Sequence, residues 1–127
     1  MTVFLVEDSI LIRQRLARML SSVKGAQVVG EALEARDAAT SIGQLKPDVV
    51  ILDIQLLNGT GMEVLQSVKK TKPPPVVIVV TNFPEYRTRY LNAGADFFFD
   101  KSTEFHHIPL VVATLIKQAR AAKSTAV

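Results

Sequence analysis

Five times along this chain a short, largely apolar run gives way to a segment whose apolar residues recur three and four apart. The runs fall at residues 2–6, 27–32, 49–52, 76–80 and 96–99. Their lack of polar alternation suits strands buried on both faces. Helical spacing covers 10–20, 35–45, 62–70 and 84–92, and resumes at Pro109. In the first helix Ile12, Leu16, Met19 and Leu20 form one stripe, with Arg13, Arg15 and Arg18 away from it. In the last, Val112, Leu115, Ile116 and Ala119 give the inner face. The punctuation agrees. Ser9 is placed to cap a helix, Pro47 forbids continuation of one, Asn58-Gly59-Thr60-Gly61 makes a turn, and Gly94 closes a helix. Strands alternating with helices define an α/β protein, a parallel sheet covered on both faces. Right-handed crossovers leave few topologies, and the doubly wound order 2-1-3-4-5 is the expectation.

Length and composition narrow the function. The 127 residues make one domain, expected over 1–122, with a frayed tail at 123–127. The stiff Lys72-Pro73-Pro74-Pro75 stretch separates segments of the same texture, so it is not an interdomain linker. The absence of cysteine excludes disulfides, thiolate zinc sites and cysteine nucleophiles. No apolar run reaches the roughly 20 residues of a membrane span. Residues 1–8 do not read as a signal peptide, so a cytoplasmic protein with no membrane contact is expected. The net charge of +3 is a small excess. Basic residues such as Lys69, Arg87, Arg89 and Lys117 sit at helical spacing and read as solvated faces rather than a nucleic-acid footprint. His106-His107 are adjacent, hence face different ways on a helix, and carry no metal expectation.

In a doubly wound sheet, ligands bind outside the carboxyl ends of the strands. The residues expected there are Glu7 and Asp8 after the first strand, Asp53 after the third, Thr81 after the fourth and Lys101 after the fifth. One aspartate after a strand is ordinary turn chemistry. Three carboxylates on one rim repel unless a cation neutralises them, and oxygen ligands with room for water suit Mg²⁺. A lysine and a hydroxyl beside them offer what a phosphoryl group needs.

These residues, in this order, resemble the receiver domain of two-component response regulators over nearly the whole chain. The resemblance is carried by Glu7-Asp8, by Val49-Val50-Ile51-Leu52-Asp53 with Gly61, by Val80-Thr81, and by residues 93–101, Ala-Gly-Ala-Asp-Phe-Phe-Phe-Asp-Lys. It implies a flavodoxin-like (βα)5 fold and no enzyme beyond self-catalysed transfer and hydrolysis. It implies Asp53 as phosphoacceptor. Glu7, Asp8, Asp53 and the Gln55 backbone carbonyl would form the Mg²⁺ site. Lys101 would pair with the phosphoryl group, and Thr81 and Phe98 would be the switch hydroxyl and aromatic. The implied donors are a sensor histidine kinase or a histidine phosphotransfer protein. With no length left for an output unit, a stand-alone receiver is expected, a monomer or weak homodimer, acting on a downstream protein by contact or phosphorelay.

The chain departs from the pattern at four places. Ser102 follows the lysine where proline is usual, Leu57 stands where proline is common, Asn82 follows the switch threonine in place of a small residue, and Phe98 has no hydroxyl. Leu11, Leu56 and Leu57 fall near the rim; exposed, they would make an apolar dock for the donor, framed by Arg15 and Arg18. Two other functions stay open. One is a receiver-like interaction domain that is never phosphorylated. The other is a Mg²⁺-dependent aspartyl phosphohydrolase, which would want a second aspartate where Gln55 stands. A flavin or nucleotide carrier would want a phosphate loop where Glu7-Asp8 stands.

Overall fold

The computed structural model describes residues 1–125. Its main sheet holds β1 (Thr2–Val6), β2 (Gln27–Ala32), β3 (Val49–Leu52), β4 (Val76–Thr81) and β5 (Phe97–Asp100). All neighbours are parallel, in the order β2-β1-β3-β4-β5. The helices are α1 (Ile10–Ser21), α2 (Ala35–Leu45), α3 (Gly61–Val68), α4 (Arg87–Asn92) and α5 (His107–Thr125). This is the doubly wound α/β fold that the alternation predicts.

Strand residues divide between two cores as the two-residue period requires. Phe4, Val6, Val50, Leu52, Val77, Val79 and Phe98 pack with α2, α3 and Tyr90 of α4. Val3, Leu5, Val49, Ile51, Ile78, Val80 and Phe99 pack with Leu16 and Leu20 of α1 and with Ile108, Val112 and Ile116 of α5. Ala119 lies outside this second core and is exposed.

Several boundaries shift for local reasons. The expected turn at 58–61 is a two-residue hairpin, Gln55–Leu56 against Gly59–Thr60, and α3 begins at Gly61 with Thr60 as its cap. The segment 84–92 is not one helix. Pro84 opens a short 3-10 turn through Tyr86 before α4 begins. α5 starts two residues before Pro109 and runs through Thr125. The expected fraying at 126 and 127 lies outside the described residues. No described helix is long and apolar enough to cross a membrane.

Candidate functional site

Four strand ends build the rim. β1 runs into Glu7 and Asp8, β3 into Asp53, β4 ends at Thr81, and Lys101 follows β5. Because these strands are contiguous, the side chains converge. Carboxylate oxygens of Glu7, Asp8 and Asp53 lie within 4.8 Å of one another. Asp8 is exposed, while Glu7, Asp53 and Thr81 are buried.

Asp53 is held at both oxygens. Its Oδ1 accepts the backbone N–H groups of Ile54 and Gln55 at 2.8 and 3.4 Å. Its Oδ2 accepts Lys101 Nζ at 3.1 Å. The same ammonium lies 2.5 Å from Glu7 Oε1. Glu7 Oε2 accepts Ser9 N–H at 3.1 Å, and Ser9 Oγ caps α1 through Ile12 N–H. The start of α1 and the acidic cluster are therefore one piece of geometry.

The electrostatics follow from this packing. Burial pushes the Glu7 carboxyl up to about 7; the Lys101 hydrogen bond opposes that rise and the Asp53 charge adds to it. For Lys101, burial alone would lower the amine, but the Glu7 hydrogen bond and the charges of Asp53 and Glu7 outweigh it and raise the pKa. One ammonium thus bridges Glu7 and Asp53, and the Asp8 carboxylate joins them as a third acidic group. That all-oxygen, net negative set fits a hard divalent cation, with Glu7, Asp8 and Asp53 as the side chains able to hold it.

Gly61 explains the close approach of α3. A Cβ there would lie 2.5 Å from the Asp53 carbonyl oxygen and 2.7 Å from Ile54 Cα. Only glycine lets the helix start against the backbone that carries Asp53. Thr81 Oγ1 accepts Phe83 N–H at 3.2 Å, and the Thr81 carbonyl accepts Lys101 N–H at 2.9 Å. Phe98 is buried, its ring 6.3 Å from that of Tyr90. Phe97 and Phe99 face the other core, as alternation requires.

Some contributors are invisible in the sequence pattern. Arg13 is not on a solvated face: its side chain is mostly buried, Nη1 donates to the Glu7 carbonyl at 3.2 Å, and Nε lies 3.6 Å from Glu31 Oε2. Lys69 reaches Asp96 at 2.6 Å and the Pro75 carbonyl at 2.9 Å. Arg15 lies over the Phe105 ring at 4.4 Å, so it packs on the loop after β5. Arg87 bridges Phe98 and Glu104. Tyr90, buried beside the site, has its phenol pKa raised by burial. The helical period assigned most of these by charge alone, whereas long stems lie along apolar surface and deliver their heads to distant partners. His106 and His107 rings meet edge to face at 4.4 Å, outside the acidic cluster.

Comparison with known proteins agrees with this geometry. The model of the response regulator receiver domain matches residues 3–113. The chain is 36% identical over 93 residues to the sensory transduction protein LytT of Bacillus cereus, covering 73% of this chain and 38% of that protein. It is 36% identical over 101 residues to the response regulator GacA of Pseudomonas aeruginosa, covering 78% of this chain and 47% of that one. It thus spans less than half the length of either relative. The response regulator domain of Thermotoga maritima CheB superposes with a TM-score of 0.80 at 31% identity, over 94% of this chain and 95% of that one. The chain belongs to the response regulator receiver domain family.

Proposed function

We propose that this receiver accepts a phosphoryl group on Asp53 from a phosphohistidine donor, and that its output is a protein contact or onward relay of the group. The observation that carries the reading is the Asp53 carboxylate, bonded to two backbone amides and to Lys101, within 4.8 Å of two further carboxylates.

The reaction is a displacement at phosphorus. An Asp53 carboxylate oxygen attacks, the bond to the donor imidazole nitrogen breaks, and that nitrogen keeps the electron pair; a proton already on the ring's other nitrogen lets the donor leave as neutral imidazole. The product is an acyl phosphate on Asp53. A resident Mg²⁺, held by Glu7, Asp8, Asp53 and the Gln55 carbonyl, would supply positive charge to the phosphoryl oxygens. Lys101, an ammonium at neutral pH, moves its hydrogen bond from the carboxylate to the new phosphoryl oxygens and neutralises part of their charge. The Ile54 and Gln55 amides keep the carboxylate oriented. Thr81, whose hydroxyl accepts Phe83 N–H, turns to donate to the phosphoryl group, and Phe98 carries the change toward α4.

The donor is a sensor histidine kinase or a histidine phosphotransfer protein, and the domain itself contacts neither nucleic acid nor membrane directly. The proposed dock is the exposed apolar surface beside the rim, made by Ile10, Leu11 and Leu57.

The test is intact mass after incubation with a small-molecule phosphodonor and Mg²⁺. Wild type should gain one phosphoryl group and Asp53→Asn none. No gain in wild type would favour an interaction domain that works without phosphorylation. Equal gain in Asp53→Asn would remove Asp53 from the reaction.

A further inference from the structure

We propose that Arg87 and Glu104 are positioning residues for Lys101: together they lock the loop after β5 so that the lysine ammonium is presented to Asp53. This rests on the phosphoacceptor reading above. The starting point is Ser102, which stands where proline is usual in the family. Serine leaves that backbone without the φ restriction of a pyrrolidine ring and with an N–H to satisfy. Here both are constrained by side chains. Ser102 N–H and Oγ donate to Asp100 Oδ1 at 2.9 and 2.6 Å. Asp100 N–H donates to Glu104 Oε1 at 3.1 Å, and Glu104 N–H donates back to the Asp100 carbonyl at 2.8 Å. Lys101 sits inside this closed set of bonds.

Arg87 then ties the set to the body of the protein. Its Nη2 donates to Glu104 Oε1 at 2.7 Å, and its Nη1 donates to the Phe98 carbonyl at 2.9 Å. Its guanidinium carbon lies 5.1 Å from the Phe98 ring centroid. One planar fork fixes the backbone three residues before Lys101 and the carboxylate three residues after it. A lysine at position 87, with a single ammonium, could not reproduce the fork. The two acids are ionised at neutral pH. Ser102 hydrogen bonds hold Asp100 below its usual range, and the Asp100 amide and Arg87 do the same for Glu104.

The arrangement suits positioning better than general stability. Arg87 and Glu104 side chains are 43% and 29% exposed, and such ion pairs add little to the free energy of folding. The gaps they govern are tight. Lys101 Nζ is 2.5 Å from Glu7 and 3.1 Å from Asp53, and misplacing a reacting group by about 1 Å can cost about a hundredfold in rate.

The experiment measures the labelling rate with a small-molecule phosphodonor, beside amide hydrogen exchange in the metal-free protein. Glu104→Gln, Arg87→Lys and Arg87→Ala should each label about tenfold more slowly with thermal midpoints close to wild type. Ser102→Thr should label at the wild-type rate. The losses from Arg87→Ala and Glu104→Gln should not add, since both act through one contact. In a Lys101→Met background Glu104→Gln should slow labelling no further, a result that general loosening would not give. Exchange of the Asp100 and Ser102 amides should speed up in Glu104→Gln while that of Val79 does not. Wild-type labelling rates in Glu104→Gln and Arg87→Ala would overturn the proposal, as would slowing that persists without Lys101. A wild type that fails to label would overturn the phosphoacceptor reading instead, and the exchange rates would still judge the lock.

Discussion

Glu7 shows what the rim costs in the absence of a cation. Its carboxyl is held at about 7 against an ordinary 4.5, first by burial. Between those values the folded chain binds more protons at this site than the unfolded chain. Stability therefore falls as pH rises through that window. The raised pKa of Lys101 acts in the same sense, but its stabilisation is lost only as pH rises above the ordinary value of 10.5, outside this window. In chelator, the thermal midpoint should drop as pH is raised from about 5 to about 7.5, and Glu7→Gln should flatten the drop. A slope indifferent to Glu7→Gln would place the titrating group elsewhere. At Gly61 the limit is steric. A methyl group there meets the Asp53 carbonyl oxygen and Ile54 Cα, both backbone, so α3 or the Asp53 segment must shift. Gly61→Ala should cost about 1–3 kcal/mol in urea denaturation and slow labelling at Asp53.

At the scale of elements, capping links stability to the site. Ser9→Ala removes the bond from Ile12 N–H to Ser9 Oγ but keeps the Ser9 amide that holds Glu7. It should cost about 1 kcal/mol by urea denaturation and leave labelling nearly unchanged; a large loss of labelling would mean that the hydroxyl itself orders the rim. Elements were also where the sequence was most legible. Val49 to Leu52 and Val76 to Val80 read as strands because β-branched runs buried on both faces admit little else. Once the strand order was set, Glu7, Asp8, Asp53, Thr81 and Lys101 had to share an edge. The 84–92 segment was less legible, since Pro84 fixes only its own φ and a 3-10 turn satisfies it as well as an α-helix. Least legible was the Arg87–Glu104 pair, 17 residues apart. Nothing in local spacing links the two; only the packing of α4 beside β5 does.

For the whole molecule the question is how a partner reaches a buried carboxylate. The net charge of +3 gives little direction, and several of the basic residues are already engaged: Arg13 on Glu7, Lys69 on Asp96, Arg87 on Glu104. The unspent surface beside the rim is apolar. Ile10 and Leu11, just after Asp8, are 60% and 77% exposed, and Leu57, four residues after Asp53, is 52% exposed. Leu56 instead packs against the core, so the dock is narrower than the sequence alone suggested. Arg15, packed over Phe105, is also less free to frame it. Exposed leucines beside a charged pocket gain most when a partner covers them and excludes water around the reacting groups. On the proposed function, a small phosphodonor needs only the pocket, whereas a phosphohistidine protein needs pocket and dock together. Leu11→Ser and Leu57→Ser should therefore leave labelling by a small phosphodonor at the wild-type rate. Transfer from a histidine phosphotransfer protein should slow by about tenfold for each. Equal effects on both donors would mean that the leucines shape the pocket itself. No effect on either would move the donor's footprint to another face of the molecule.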